Sequence, residues 1–113
     1  MASDKEEGFF EALFVQLVVS LNEAAMIQLG KLANPATGQP EPELTQAEGT
    51  IDVLRMLQAK TKGNLSDAEK RLIDQTLANL EMNFLLETER SEGNDADTEE
   101  TRPRPGIRPE QAN

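Results

Sequence analysis

The residues best placed to do chemistry are Lys60-Thr61-Lys62-Gly63-Asn64. Two ammonium groups, a hydroxyl and an amide crowd a turn just ahead of a helix start. Free N–H groups at a helix start attract anions, so the set reads as a candidate anion or small-ligand loop. The chain lacks the Gly-x-x-x-x-Gly-Lys-Ser/Thr word of a phosphate loop. The same residues also read more simply as helix punctuation. Asn34, Thr37 and Gly38 form a second polar cluster, either a binding loop or a turn closed by side-chain to backbone bonds. Asp52 is a third candidate. It can pair with Arg55 at i+3 or contact a partner.

Little else in the chain can catalyse. There is no His, Cys, Trp or Tyr. Ser-His and Cys-His nucleophiles are excluded. So are zinc sites of the usual Cys/His kind and iron–sulfur clusters on Cys. No cofactor and no metal are expected. Glu48 and Asp52 can act as an acid–base pair only in a concave pocket, which a thin bundle does not provide. Asp95-Ala96-Asp97-Thr98-Glu99 resembles half a calcium loop but lacks its central Gly and terminal Glu.

The net charge of −10 repels phosphate backbones and anionic lipid, so neither nucleic acid nor a membrane is an expected partner. The start of the chain carries Asp4, Glu6 and Glu7 rather than the basic residues of a secretory signal. The apolar run that follows is broken by Glu11, Gln16, Asn22 and Glu23, a poor membrane span. The expected location is the cytoplasm.

Three helices must position these residues. The first is expected from Gly8 to Ala33, after a flexible segment at 1–7. Phe10, Leu13, Phe14, Leu17, Leu21, Ala24, Ala25 and Leu32 fall on one face. Ala12, Val15, Val19, Met26 and Gly30 fall on another. A helix with two apolar faces wants two partners, its own bundle and a second subunit. Pro35, Gly38 and Pro40 end it.

The second helix is expected from Pro42 or Glu43 to Lys62. Leu44, Ala47, Ile51, Leu54 and Leu57 form its stripe, and Thr45 with Glu48 offers a capping box. Gly63 suits the left-handed residue just past its end, and Lys60 and Lys62 oppose the negative end of its dipole. Ser66 with Glu69 forms a capping box for the third helix, expected from Asp67 to Arg90. There Ile73, Leu77, Leu80 and Phe84 step at the a/d spacing of a coiled-coil seam. Asn79 and Asn83 share one side of it, solvated or serving as a register device. The architecture is all-α: an up-down-up bundle of three long helices over 8–90. The acidic, then Arg/Pro-rich tail at 91–113 is expected to be disordered.

The words along this frame match a family. Ser20-Leu21, Ala25, Leu29-Gly30, Asn34-Pro35, Thr37-Gly38, Thr50-Ile51-Asp52, Leu54, Leu57 and Lys60-Thr61-Lys62-Gly63-Asn64-Leu65 occur in order. The chain resembles a family of short bacterial proteins catalogued only as a domain of unknown function, from about Phe9 to Leu86. The resemblance implies no activity. The family carries a basic residue in a Leu-Arg-x-x-Phe word, whereas this chain has Leu80-Glu81-Met82-Asn83-Phe84.

The functional expectation is a non-enzymatic homo-oligomer, a dimer first, acting through contacts with a protein partner the sequence does not name. Val15, Val19 and Met26 are its expected interface. The first alternative is a ligand or anion site at Lys60, Thr61, Lys62 and Asn64, completed by Asn34 and Thr37 of a neighbour. The second is an acidic regulator of a basic nucleic-acid-binding protein. An enzyme using Asp52 or Glu48 is not expected.

Overall fold

The structure is a computed structural model that describes the backbone of residues 3–101 and the side chains of residues 3–92. It contains three helices: α1 (Asp4–Gln28), α2 (Leu44–Lys60) and α3 (Asp67–Thr101). Each packs against the other two. The start of α1 lies by the α2–α3 hinge, where Glu7, Phe10 and Glu11 share a groove with Gly63, Ser66 and Glu69. The end of α1 lies by the start of α2 and the far part of α3. The order is therefore up-down-up, as expected.

The helix bounds differ from the expected ones for local reasons. α1 starts at Asp4, not Gly8, because Ser3 and Glu6 make a reciprocal capping box. The Glu6 N–H donates to Ser3 Oγ at 3.1 Å, and the Ser3 N–H donates to Glu6 Oε1 at 3.0 Å. Asp4, Glu6 and Glu7 in the first turn add charge that suits the positive end of the dipole. Residues 4–7 of the expected lead segment are thus helical, with Ser3 as their cap, and residues 1–2 lie outside the described residues.

At its other end α1 stops at Gln28 rather than Ala33. Gly30 takes φ +80°, and the Lys31 N–H donates back to the Met26 carbonyl at 2.9 Å, as in a Schellman turn. Gly30 was expected on an outward stripe; instead it ends the helix against Pro42. A Cβ on Gly30 would lie 2.7 Å from Pro42 Cγ. Nearby the Glu43 N–H donates to the Gln28 carbonyl at 2.6 Å. So the Leu29-Gly30 word fixes how the chain leaves α1 and enters α2.

α2 has Glu43 as its N-cap residue, with no side-chain cap. Thr45 lies inside the helix, so its expected box with Glu48 does not form. The hinge box does form: the Ser66 N–H donates to Glu69 Oε1 at 2.7 Å and the Glu69 N–H to Ser66 Oγ at 3.2 Å. α3 runs past Arg90 to Thr101. No proline interrupts the sequence before Pro103, and the residue preceding a proline is disfavoured in a helix. Residues 102–113 of the expected tail lie outside the described residues.

The core is a single layer: Val18 and Ala25 from α1, Leu29 at its C-cap, Ala47, Ile51 and Leu54 from α2, Ile73, Leu77 and Leu80 from α3. Phe14, Leu21, Met26, Leu44, Leu57, Leu65, Leu72 and Phe84 pack around it. The α2 and α3 stripes are the expected ones. On α1 the inward seam is Phe14, Val18, Leu21 and Ala25, stepping by four, three and four. Val18 belonged to neither expected face, while Phe10, Leu13, Leu17 and Leu32 are exposed.

Polar ties lock the helices together. The Thr50 hydroxyl donates to Gln28 Oε1 at 2.7 Å, joining α2 to α1. Arg55 bridges Asp52 Oδ1 at 2.7 Å and Glu81 Oε2 at 3.0 Å, joining α2 to α3. Glu87 is the one buried charged residue among those described. Its carboxylate meets Lys31 Nζ at 2.5 Å and Arg90 Nη1 at 3.2 Å. The Lys31 hydrogen bond first, then the Arg90 and Lys31 charges, hold Glu87 below its ordinary value of 4.5 against an opposing desolvation.

Two predictions test these joints. Gly30→Ala should destabilise by about 2 kcal/mol or more, since left-handed strain adds to the approach of Pro42. Gly63→Ala, with open space around it, should cost only about 1–2 kcal/mol. Pro42→Ala should recover part of the Gly30→Ala loss, and denaturant melts of the four chains decide it. For Glu87 the folded pKa lies below the unfolded one, so its stabilisation is present above pH 4.5 and is lost as pH falls through the folded value. The melting-temperature gap between the native chain and Glu87→Gln should be widest near neutral pH and close in acid.

Candidate functional site

The hinge between α2 and α3 is built by the ends of two helices. The Thr61 N–H and hydroxyl both donate to the Leu57 carbonyl, at 3.0 and 2.8 Å. Gly63 takes φ +88°, and the Asn64 N–H donates to the Thr61 carbonyl at 2.9 Å. Thr61 is therefore engaged in ending α2, and Gly63 in turning the chain.

A groove of about 660 Å³ opens beside the hinge. It is lined by Gln58, Ala59, Lys62, Gly63, Leu65, Lys70 and Asp74. Asp74 accepts from Lys70 Nζ at 2.5 Å and from Gln58 Nε2 at 2.7 Å. The Lys70 bond first and the Gln58 bond second hold this carboxyl below its ordinary range. One cation of the groove is thus matched by a carboxylate, and Lys62 is the ammonium group not so matched. Of the expected loop residues, Lys62 and Gly63 line this groove, and Lys62 alone brings a polar side chain to it. Gln58, Lys70 and Asp74 were not anticipated, although Lys70 and Asp74 stand at the i, i+4 spacing of a helix pair.

Asn64 lines a different groove, with Glu7, Phe10, Glu11, Gly63, Leu65, Ser66 and Glu69. Its three carboxylates make it unfavourable to anions. Lys60 and Thr61 line neither groove.

Asn34 and Thr37 sit at the opposite end of the bundle. Asn34 Oδ1 accepts from the Ala36 N–H at 2.8 Å, an Asx turn, and its carbonyl accepts from the Gly38 N–H at 2.7 Å. The Asn34 N–H donates to the Gln39 carbonyl at 2.8 Å. Thr37 Oγ1 accepts from the Gln39 N–H at 3.3 Å. The loop closes on itself through the very groups that were candidates for binding. Asp52 pairs with Arg55, as its spacing allowed. Glu81, where the chain departs from the family word, supplies the other carboxylate on that guanidinium. Asn83 Nδ2 donates to the Asn79 carbonyl one turn back, at 2.9 Å. Among the described residues no group of three acidic side chains converges as a metal site would need.

The other prominent surface is the outside of α1. Phe9, Phe10, Leu13 and Leu17 are 45–61% exposed, and Val15 and Val19 are exposed beside them. The rings of Phe9 and Phe10 lie 6.1 Å apart in a tilted pair. Met26, the third expected interface residue, packs partly against the core. By length and composition α1 would also pass for a membrane-crossing helix, despite the polar residues that break its apolar run. A buried core helix and a signal sequence near an N-terminus meet the same measure; α1 lies near the N-terminus and is mostly exposed.

No curated protein and no solved structure matches this chain. Residues 11–87, which span all three helices and the hinge, match the family described as Domain of unknown function (DUF1844), and the chain belongs to that family.

Proposed function

We propose that this protein is a non-enzymatic, cytoplasmic homo-oligomer, in the first instance a dimer, that acts through protein contacts of its helical bundle. The observation that supports this most is the exposed apolar surface of α1. Four large residues, Phe9, Phe10, Leu13 and Leu17, stand open on a helix whose inward seam is already filled. Monomers rarely leave so contiguous an apolar surface in water. The available side chains favour contact over catalysis: the paired carboxylates Asp52, Asp74 and Glu87 are neutralised by Arg or Lys. Light scattering of the full chain at micromolar concentration should give a multiple of the 12.5 kDa monomer mass. Leu17→Glu or Val19→Glu should reduce it to one chain without lowering helicity. A native monomer would refute the reading.

A second reading, a small-ligand module, is favoured by the groove at Lys62. Its apolar floor of Ala59 and Leu65 beside one unmatched ammonium suits an anionic compound with an apolar part. Benzoate and inorganic phosphate serve as probes. A rise in melting temperature with benzoate, lost in Lys62→Ala, would support it, and no shift with either would remove it.

A further inference from the structure

α1 carries more than one coiled-coil register. Its inward seam runs through Phe14, Val18, Leu21 and Ala25. One residue earlier, Phe10, Leu13, Leu17, Ser20, Ala24 and Ile27 repeat the same steps of three and four. Of these, Phe10, Leu13, Leu17 and Ser20 are exposed, and Ala24 and Ile27 half-exposed. This second seam has no partner within the bundle. It is graded in size: Phe10, Leu13 and Leu17 fill its first half, small Ser20 and Ala24 follow, and Ile27 ends it.

We propose that a second copy of this chain docks on this seam with its α1 antiparallel to the first. This rests on the homo-oligomer reading and deepens it. The grading decides the orientation. Side by side in parallel, Phe10, Leu13 and Leu17 each meet themselves, and so do Ser20 and Ala24. The bulky layers at Phe10, Leu13, Leu17 and Ile27 would hold the helices apart and leave a gap at Ser20 and Ala24, because interaxial distance follows the contacting side chains. Antiparallel, Leu17 meets Ser20 of the second copy, Leu13 meets Ala24, and Phe10 meets Ile27. Large faces small through the four central layers, which close at nearly one width, with a bulkier layer of Phe10 against Ile27 at each end.

Charge points the same way. Asp4, Glu6 and Glu7 cluster at the start of α1. A parallel pair brings both clusters together, in a chain of net charge −10. An antiparallel pair separates them by about 37 Å, the length of a 25-residue helix. At that distance salt screens their repulsion. Between Glu11 and Lys31 the only charged residue is Glu23, so the seam itself carries little repulsion.

The chain has no cysteine, so single cysteines report the pairing cleanly. Leu13→Cys and Ala24→Cys would be oxidised separately and as a mixture of full-length chains. A disulfide needs Cα atoms within about 7 Å. In the antiparallel pair, residue 13 of each copy lies about 16 Å from its own equivalent along the axis. The expected result is a cross-linked dimer in the mixture only. Leu13→Cys cross-linking with itself would overturn the antiparallel seam. A dimer by light scattering with no mixed product would overturn the seam and leave homo-oligomerisation standing. A monomer would overturn both, and a monomer that floats with neutral phosphatidylcholine vesicles would assign the face to lipid instead.

Discussion

In a three-helix bundle each helix has one inward seam, and the rest of this structure depends on that constraint. Nine buried apolar residues form one layer along the axis: two from α1, Leu29 just past its end, and three each from α2 and α3. Full burial of a Val, Leu or Ile side chain stabilises by about 1.5–3 kcal/mol, against an ordering entropy of similar total size. So small a core leaves little margin. That explains the density of polar ties between helices: Thr50 to Gln28, Arg55 to Glu81, Lys31 to Glu87. It also explains why α1 is left over-supplied. Once Val18 and its neighbours fill the seam, the other apolar residues of that helix have no place within the bundle.

The family words read differently once placed. Leu29 is core, and Gly30 makes the turn that lets Pro42 approach. Asn34 and Thr37 close their loop. In Thr50-Ile51-Asp52, one residue ties α1, one fills the core and one holds the arginine that reaches α3. Thr61 and Gly63 end α2. These words specify how three helices meet, and most of their polar groups are engaged in doing so. Lys60, Lys62 and Asn64 are left over, and only Lys62 lines the larger groove.

How much was legible in the sequence followed from how unambiguous each pattern was. The α3 seam and the hinge were plain, because apolar residues there recur in one register and Gly63, Ser66 and Glu69 each have one natural role. On α1 the periodicity could not choose. Three adjacent registers are apolar, so the contacts with α2 and α3, not the helix itself, decide that Val18 turns inward. Glu87 is hard to read from sequence for a related reason. It continues the α3 steps from Leu80 and Phe84, but a carboxylate at a seam position is not read as core until Lys31 is seen beside it. The two grooves escaped because their walls come from separate elements. Spacing alone gives only the pairs within one element, Ser66 with Glu69 and Lys70 with Asp74.

The same ambiguity bears on what the protein does. A helix whose outer face had no use would be free to carry charge there, and α2 does carry Asp52, Arg55 and Lys60 beside its exposed Val53 and Met56. α1 instead holds two phenylalanines and two leucines in the open. Its few charges lie almost wholly in the first turns, where they serve the capping box and the dipole. An acidic chain resists self-association through long-range repulsion, so an interface between copies has to be apolar and charge-poor where they touch. The middle of α1 meets both conditions. In the proposed pair its small residues, Ser20 and Ala24, matter as much as its large ones, because they would let a second backbone come close enough for Leu13 and Leu17 to be covered.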